Sequence, residues 1–163
     1  MGNDDLIKLA SRLARYSGED ETTGLRNLRQ FLREAERELA RCRRTGEDLT
    51  LLAVEADSGV TTTEVADRVK ECIREEDLVA RIGSRVFGLL VAASSERTSA
   101  EVLQAHLHPV TTLSVGERRV EWQDVVSTPV TSLLQDALAA LDWAKQSGGN
   151  CHMLWRNQGW AVH

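Results

Sequence analysis

The chain has 163 residues, 42% of them hydrophobic and 28% charged, with only 2 prolines. That length and balance suit a single globular domain with its own core and exclude collagen-like or low-complexity architecture. A net charge of −5 argues against a general nucleic-acid binder, no apolar run approaches the roughly 20 residues of a bilayer-spanning helix, and the N-terminus lacks the pattern of a secretory leader.

Leu6, Leu9, Leu13 and Tyr16 fall at helical spacing, so residues 4–16 are expected to form a short amphipathic helix, interrupted by Ser17-Gly18. Leu25, Leu28, Leu32, Ala35, Leu39 and Cys42 recur in steps of three and four, which predicts a helix with one apolar stripe, stopped at Thr45-Gly46. Residues 48–56 are β-prone and end at the turn Asp57-Ser58-Gly59. Thr61 and Glu64 have capping-box spacing and open a helix through Val65, Val69 and Ile73. Residues 78–82 and 86–92 are two β runs joined as a hairpin by Gly83-Ser84-Arg85. Thr98 and Glu101 open a helix through Leu103 and Leu107. Residues 110–115 read as a strand ended by Gly116, with residues 119–122 as its candidate partner. Ser132 and Gln135 cap a last helix bearing Leu134, Leu138 and Leu141, closed by Gly148-Gly149, and residues 151–155 form a final strand. Hairpin strands covered by helices predict an α+β fold.

Three cysteines, Cys42, Cys72 and Cys151, are odd in number and lack any C-x-x-C, so neither a disulfide framework nor a zinc ribbon is expected, and a reducing, cytoplasmic location fits. Arg26, Arg29, Arg33, Arg37 and Arg41 are interleaved with Glu34, Glu36 and Glu38, which predicts a solvated, salt-bridged helix face rather than a nucleic-acid surface. His106-x-His108 and Cys151-His152 lack correctly spaced partners for a metal and are read as structural. Trp155 and Trp160 flank a polar tail and are expected to pack across the domain surface.

The punctuation between these elements is familiar. Asp20-x-x-Thr23-Gly24-Leu25-x-Asn27-x-Arg29-x-Phe31 resembles the D-x-L-T-G-L-x-N-R-R-x-F opening of GGDEF domains, the diguanylate cyclase family. Residues 79–87 (VARIGSRVF) are similar to its A-R-(L/Y)-G-G-D-E-F hairpin, Thr112-Leu113-Ser114-Val115-Gly116 to its T-L-S-I-G strand, and residues 137–150 (ALAALDWAKQSGGN) to its closing helix. These signatures occur in the family's order and span roughly residues 20–155. The resemblance implies a nucleotidyl-cyclase-like palm, with a central, mostly antiparallel sheet flanked by helices. Residues 1–18 are then an N-terminal helix or linker and residues 19–163 the domain. In the family, two GTP molecules are joined into cyclic di-GMP, with divalent metals held by carboxylates in the hairpin turn and at the end of the first strand.

The chain departs from that pattern at the chemistry. The signature turn is Gly83-Ser84-Arg85-Val86-Phe87, so both acidic positions are lost, and Arg85 brings a positive charge where a metal would sit. Glu55 stands at the strand-end carboxylate position with Asp57 after it, a pair that equally suits a plain strand end. The loop that would carry the guanine-contacting residues is shortened to Asp57-Ser58-Gly59-Val60. Lys145 matches a phosphate-contacting lysine, but the neighbouring arginine position is Gly149. The expectation is a degenerate, catalytically inactive domain with no cofactor and no metal. Arg74-Glu75-Glu76-Asp77 has the R-x-x-D form of the family's inhibitory site at its usual offset before the turn. Arg74 and Asp77 are therefore candidate ligands for cyclic di-GMP, or else an inherited local salt bridge. A receptor for cyclic di-GMP is one functional reading; a module that docks another signalling protein without nucleotide is the other. Candidate partners are cyclic di-GMP, a signalling protein and a second copy of the chain; nucleic acid and membrane are not expected.

Overall fold

The computed structural model of the chain describes residues 2–9, 18–92, 99–121, 128–156 and 161–162. A helical segment over residues 3–9 precedes the domain; the rest of the expected N-terminal helix, with Leu13 and Tyr16, lies outside the described residues, as do Thr98, Trp122 and Trp160.

Helix α1 (Leu28–Thr45) begins at Asn27, whose side chain accepts the Gln30 N–H, and stops at Gly46, which adopts φ 74° and donates to the Cys42 carbonyl. This start resets the phase of the expected stripe. The buried residues are Phe31, Ala35, Leu39 and Cys42. Leu25 precedes the cap and packs on the other side of the sheet, Leu28 is 39% exposed, and Leu32 is only partly buried.

Strand β1 (Leu49–Ala56) leads to α2 (Thr62–Cys72), where the Thr61–Glu64 capping box forms as expected and Ile73 lies just beyond the helix in extended conformation. Strands β2 (Leu78–Arg81) and β3 (Val86–Ala92) make the hairpin. Helix α3 (Ala100–Leu107) is capped by Ser99, whose hydroxyl accepts the Val102 N–H. Strand β4 (Leu113–Val120) runs straight through Gly116, so the two expected segments are one strand and not a pair. Helix α4 (Val130–Gln146) starts after Pro129 without a side-chain cap, which places Ser132 inside the helix. Strand β5 (His152–Leu154) pairs with a further two-residue strand, β6 (Ala161–Val162), beyond the last expected element.

The sheet order is β2-β3-β1-β4-β5-β6, antiparallel throughout except for the parallel β4–β5 pair. Alternation along β1 divides the core: Leu49, Leu51 and Ala53 face α1 and α4, while Leu52, Val54 and Ala56 face α2 and α3. Helices on both faces of a largely antiparallel sheet form the expected α+β architecture. Gly116 marks where α4 lies closest to the sheet, because a Cβ there would sit 2.2 Å from the Ala137 carbonyl oxygen and 2.3 Å from the Leu141 nitrogen.

Candidate functional site

The hairpin turn and the end of β1 meet in the sheet: Glu55 is in register with Val86 on one side and with Ser114 on the other. The turn is closed by backbone bonds from the Ile82 and Gly83 N–H groups to the Val86 carbonyl. Arg81 holds it from outside, donating to the Ser84 carbonyl at 2.8 Å and to Asp20 Oδ1 at 3.2 Å. Asp20 also accepts the Thr23 N–H and hydroxyl. Burial works against its charged form, but the Thr23 hydrogen bonds and the Arg81 charge outweigh it and hold the carboxyl below the ordinary aspartate range. The D-x-x-T opening therefore anchors the signature turn from a distant part of the chain. Nothing in the local pattern of residues announces this link.

Within the turn, Val86 packs against the α1/α4 core and Phe87 is fully buried on the opposite face, while Gly83, Ser84 and Arg85 are exposed. Arg85 reaches back to the Ala56 carbonyl at 3.4 Å. Glu55 is only 14% exposed and lies 2.5 Å from Lys145 Nζ. That contact, more than any other influence, raises the Lys145 pKa above the usual lysine range. Asp57 is committed elsewhere: its carboxylate accepts the hydroxyls of Thr112 and Ser114 and the Asn150 N–H, tying β1 to the start of β4 and to the turn after α4. These residues do not fit a divalent metal. One carboxylate is neutralised by an ammonium, the other is filled by three donors, and a guanidinium stands beside them. Among the described residues no group of three histidines, cysteines or acids is arranged to hold a metal ion.

Arg74 and Asp77 sit at the two ends of the turn between α2 and β2. Asp77 is 4% exposed, and its carboxylate accepts the Arg74 backbone N–H at 2.9 Å, so the two residues are joined through the Arg74 backbone. The Arg74 guanidinium lies 3.7 Å from Glu76, and its Nε is buried without a hydrogen-bond partner among the described residues.

Other candidates separate. His106 meets Glu71 at 2.5 Å, joining α3 to α2, and His108 is an exposed cap residue, so both read as structural. His152 is buried between Glu101 and Glu117, each 3.5 Å away, at the rim of a cleft of about 480 Å³ that starts at Asp48–Thr50, the opposite end of β1 from the hairpin turn. Glu117 was not singled out by sequence, since its burial follows only from the pairing of β4 with β5. Trp155 stacks on Arg118 at 4.4 Å, in line with packing on the domain surface. The arginine series is only partly salt-bridged: Arg26 pairs with Glu34 and Arg41 with Glu38 and Glu47, whereas Arg29, Arg33 and Arg37 have no ion pair among the described residues. No helix of the described residues is long and apolar enough to cross a membrane.

No protein-family model and no curated protein matches the chain. Solved structures do. The GGDEF domain of PA1120 (TpbB or YfiN) from Pseudomonas aeruginosa aligns with a TM-score of 0.71 at 24% identity, over 85% of this chain and 94% of that one. The coiled coil and GGDEF domain of DgcB from Caulobacter crescentus, solved in complex with c-di-GMP, aligns with a TM-score of 0.68 at 18% identity, over 93% and 92%. The FimX GGDEF domain from Pseudomonas aeruginosa gives 0.68 at 20% identity, over 84% and 98%. The fold is that of a GGDEF domain.

Proposed function

We propose that this chain is a catalytically inactive GGDEF domain acting in cyclic di-GMP signalling as a receptor for that dinucleotide. The observation that carries the inactive reading is the state of the carboxylates: Glu55 is paired with Lys145, and Asp57 is saturated by Thr112, Ser114 and Asn150. With Arg85 and Val86 in the turn, no carboxylate among the described residues there is left free for metal binding or for removal of a proton from a sugar hydroxyl. The receptor reading is supported by Arg74, whose buried Nε lacks a hydrogen-bond partner among the described residues and whose guanidinium makes a long contact to Glu76. A guanidinium of this kind can fork to phosphate and stack on a guanine. Asp77 would exchange the Arg74 N–H for guanine N–H donors as the turn opens, which limits affinity.

Calorimetric titration of the full chain with cyclic di-GMP tests this. Micromolar binding is expected, weakened about tenfold, or roughly 1.4 kcal/mol, by Arg74→Ala. Glu76→Ala should leave binding unchanged or tighten it. Incubation with GTP and magnesium or manganese should yield no cyclic di-GMP, and Arg85→Asp with Val86→Glu should not create activity, because Glu55 stays paired and the loop after β1 stays short. Product above a no-protein control refutes inactivity; absence of binding at high protein concentration refutes the receptor. In that case the protein-docking reading takes its place, for which the exposed face of α1 is the favouring observation.

A further inference from the structure

The outer side of α1 carries a chemistry that nucleotide binding does not use. Phe31, Ala35, Leu39 and Cys42 turn inward. At about 100° per residue, Arg29, Arg33, Arg37 and Arg44 then fall within an arc of about 80° on the side opposite the core. All of them are exposed, and among the described residues no hydrogen bond or ion pair reaches the side chain of any of them. The other residue inside the arc is Ala40. The acids that should have neutralised the row lie beside it: Glu34 is held by Arg26, Glu38 by Arg41, and Glu36 stands at its edge.

A surface helix that needed only to be soluble would alternate signs at i, i+4, which stabilises a helix; Arg29, Arg33 and Arg37 repeat one sign at that spacing, which destabilises it. The row also reverses the charge of a molecule whose net charge is −5. We propose that it docks an acidic helix of a protein partner, with carboxylates repeating at i, i+4 and i+7 or i+8 engaging the guanidinium forks over about 22 Å. The row is one side chain wide, the width of a single helix ridge. Single-stranded nucleic acid is held by aromatic stacking platforms, and a bilayer surface by apolar side chains beside the basic ones. The arc offers neither, and an extended sheet of phosphates would also face the acidic remainder of the molecule. This inference does not depend on nucleotide binding at Arg74.

The test uses the full chain and fluorescence anisotropy at low salt. The probes are two alanine-based helical peptides of about 18 residues with the same glutamate content, one with its glutamates in a single row and one with them spread around the helix. The row peptide should bind about tenfold more tightly than the spread one, and Arg33→Glu should remove that difference without lowering the melting temperature, with Arg33→Ala as the milder variant. Equal binding of the two peptides, or binding indifferent to both substitutions, overturns the proposal. So does tighter binding of single-stranded RNA or of phosphatidylserine vesicles than of the row peptide. A lowered melting temperature in both variants would overturn it as well, by showing that the row serves the fold.

Discussion

At Gly116 the absence of one methyl group decides how closely a helix can approach the sheet. Its missing Cβ would overlap the backbone of α4, 2.2 Å from the Ala137 carbonyl oxygen and 2.9 Å from the Leu141 Cα, and backbone cannot swing aside as a side chain can. At Gly88 the nearest atoms to such a Cβ belong to the side chains of Ile82 and Phe31, at 3.1 Å and beyond. Gly116→Ala is therefore expected to cost about 3 kcal/mol or more, and Gly88→Ala under about 1, read as shifts of the urea midpoint. Equal costs would show that α4 does not cross β4 at Gly116. The sequence places Gly116 as a strand terminator, because a glycine after a β run is most often punctuation. Its use as a crossing point is visible only once α4 is laid across the sheet. Asp57 has the same history: as a strand-end acid it is a metal candidate, and three donors from distant segments convert it into a structural anchor.

At the scale of elements, helix α1 shows how one cap sets an entire packing face. Leucine spacing alone starts the helix at Leu25 and selects Leu28 and Leu32 for the core. The Asn27 cap starts it later and hands the core to Phe31, which is fully buried. Phe31→Ala is expected to lose about 3–5 kcal/mol and Leu32→Ala about 1, because Leu32 is already partly solvated. Thermal or urea unfolding of the two variants distinguishes this face from the leucine stripe, for which Leu32 would be the costlier. The Thr61–Glu64 box, by contrast, was legible at once, since both of its hydrogen bonds lie within one turn of the chain. Ser132 and Gln135 have similar spacing but lie within α4, because Pro129 with its fixed φ had already begun that helix.

Over the whole molecule, charge adds a further tie between elements that strand pairing and the apolar core already join. Glu117 on β4 faces His152 of β5 at 3.5 Å and Arg119 at 3.4 Å, while Glu101 of α3 meets the other side of the imidazole at 3.5 Å. Burial favours the neutral form of Glu117, but the facing charges of His152 and Arg119 prevail and lower its pKa. The folded chain therefore binds fewer protons than the unfolded one in the range below the ordinary glutamate value of about 4.3. The stability Glu117 contributes is present above that value and is lost as pH falls through the folded pKa. Glu117→Gln should be destabilising at about pH 6, and the deficit should narrow progressively as pH falls below the ordinary glutamate value of about 4.3, in urea titrations at each pH; a difference that stays constant with pH would show that Glu117 does not shape the acid side of the stability curve. The sequence by itself determined the elements whose signals are local: the capping box, the hairpin, the closing Gly148-Gly149 and the α+β class, together with a hairpin turn, Gly83-Ser84-Arg85-Val86-Phe87, that contains no acidic residue. Only the tertiary structure decided what the remaining chemistry is attached to. Glu55 meets Lys145, Asp20 meets Arg81, His152 lies between two acids, and Arg29, Arg33 and Arg37 have no ion pair among the described residues because α1 turns one face to the sheet. Each of these depends on residues far apart in the chain, and hydrophobic periodicity fixes which face of a helix is buried without fixing what the opposite face will meet.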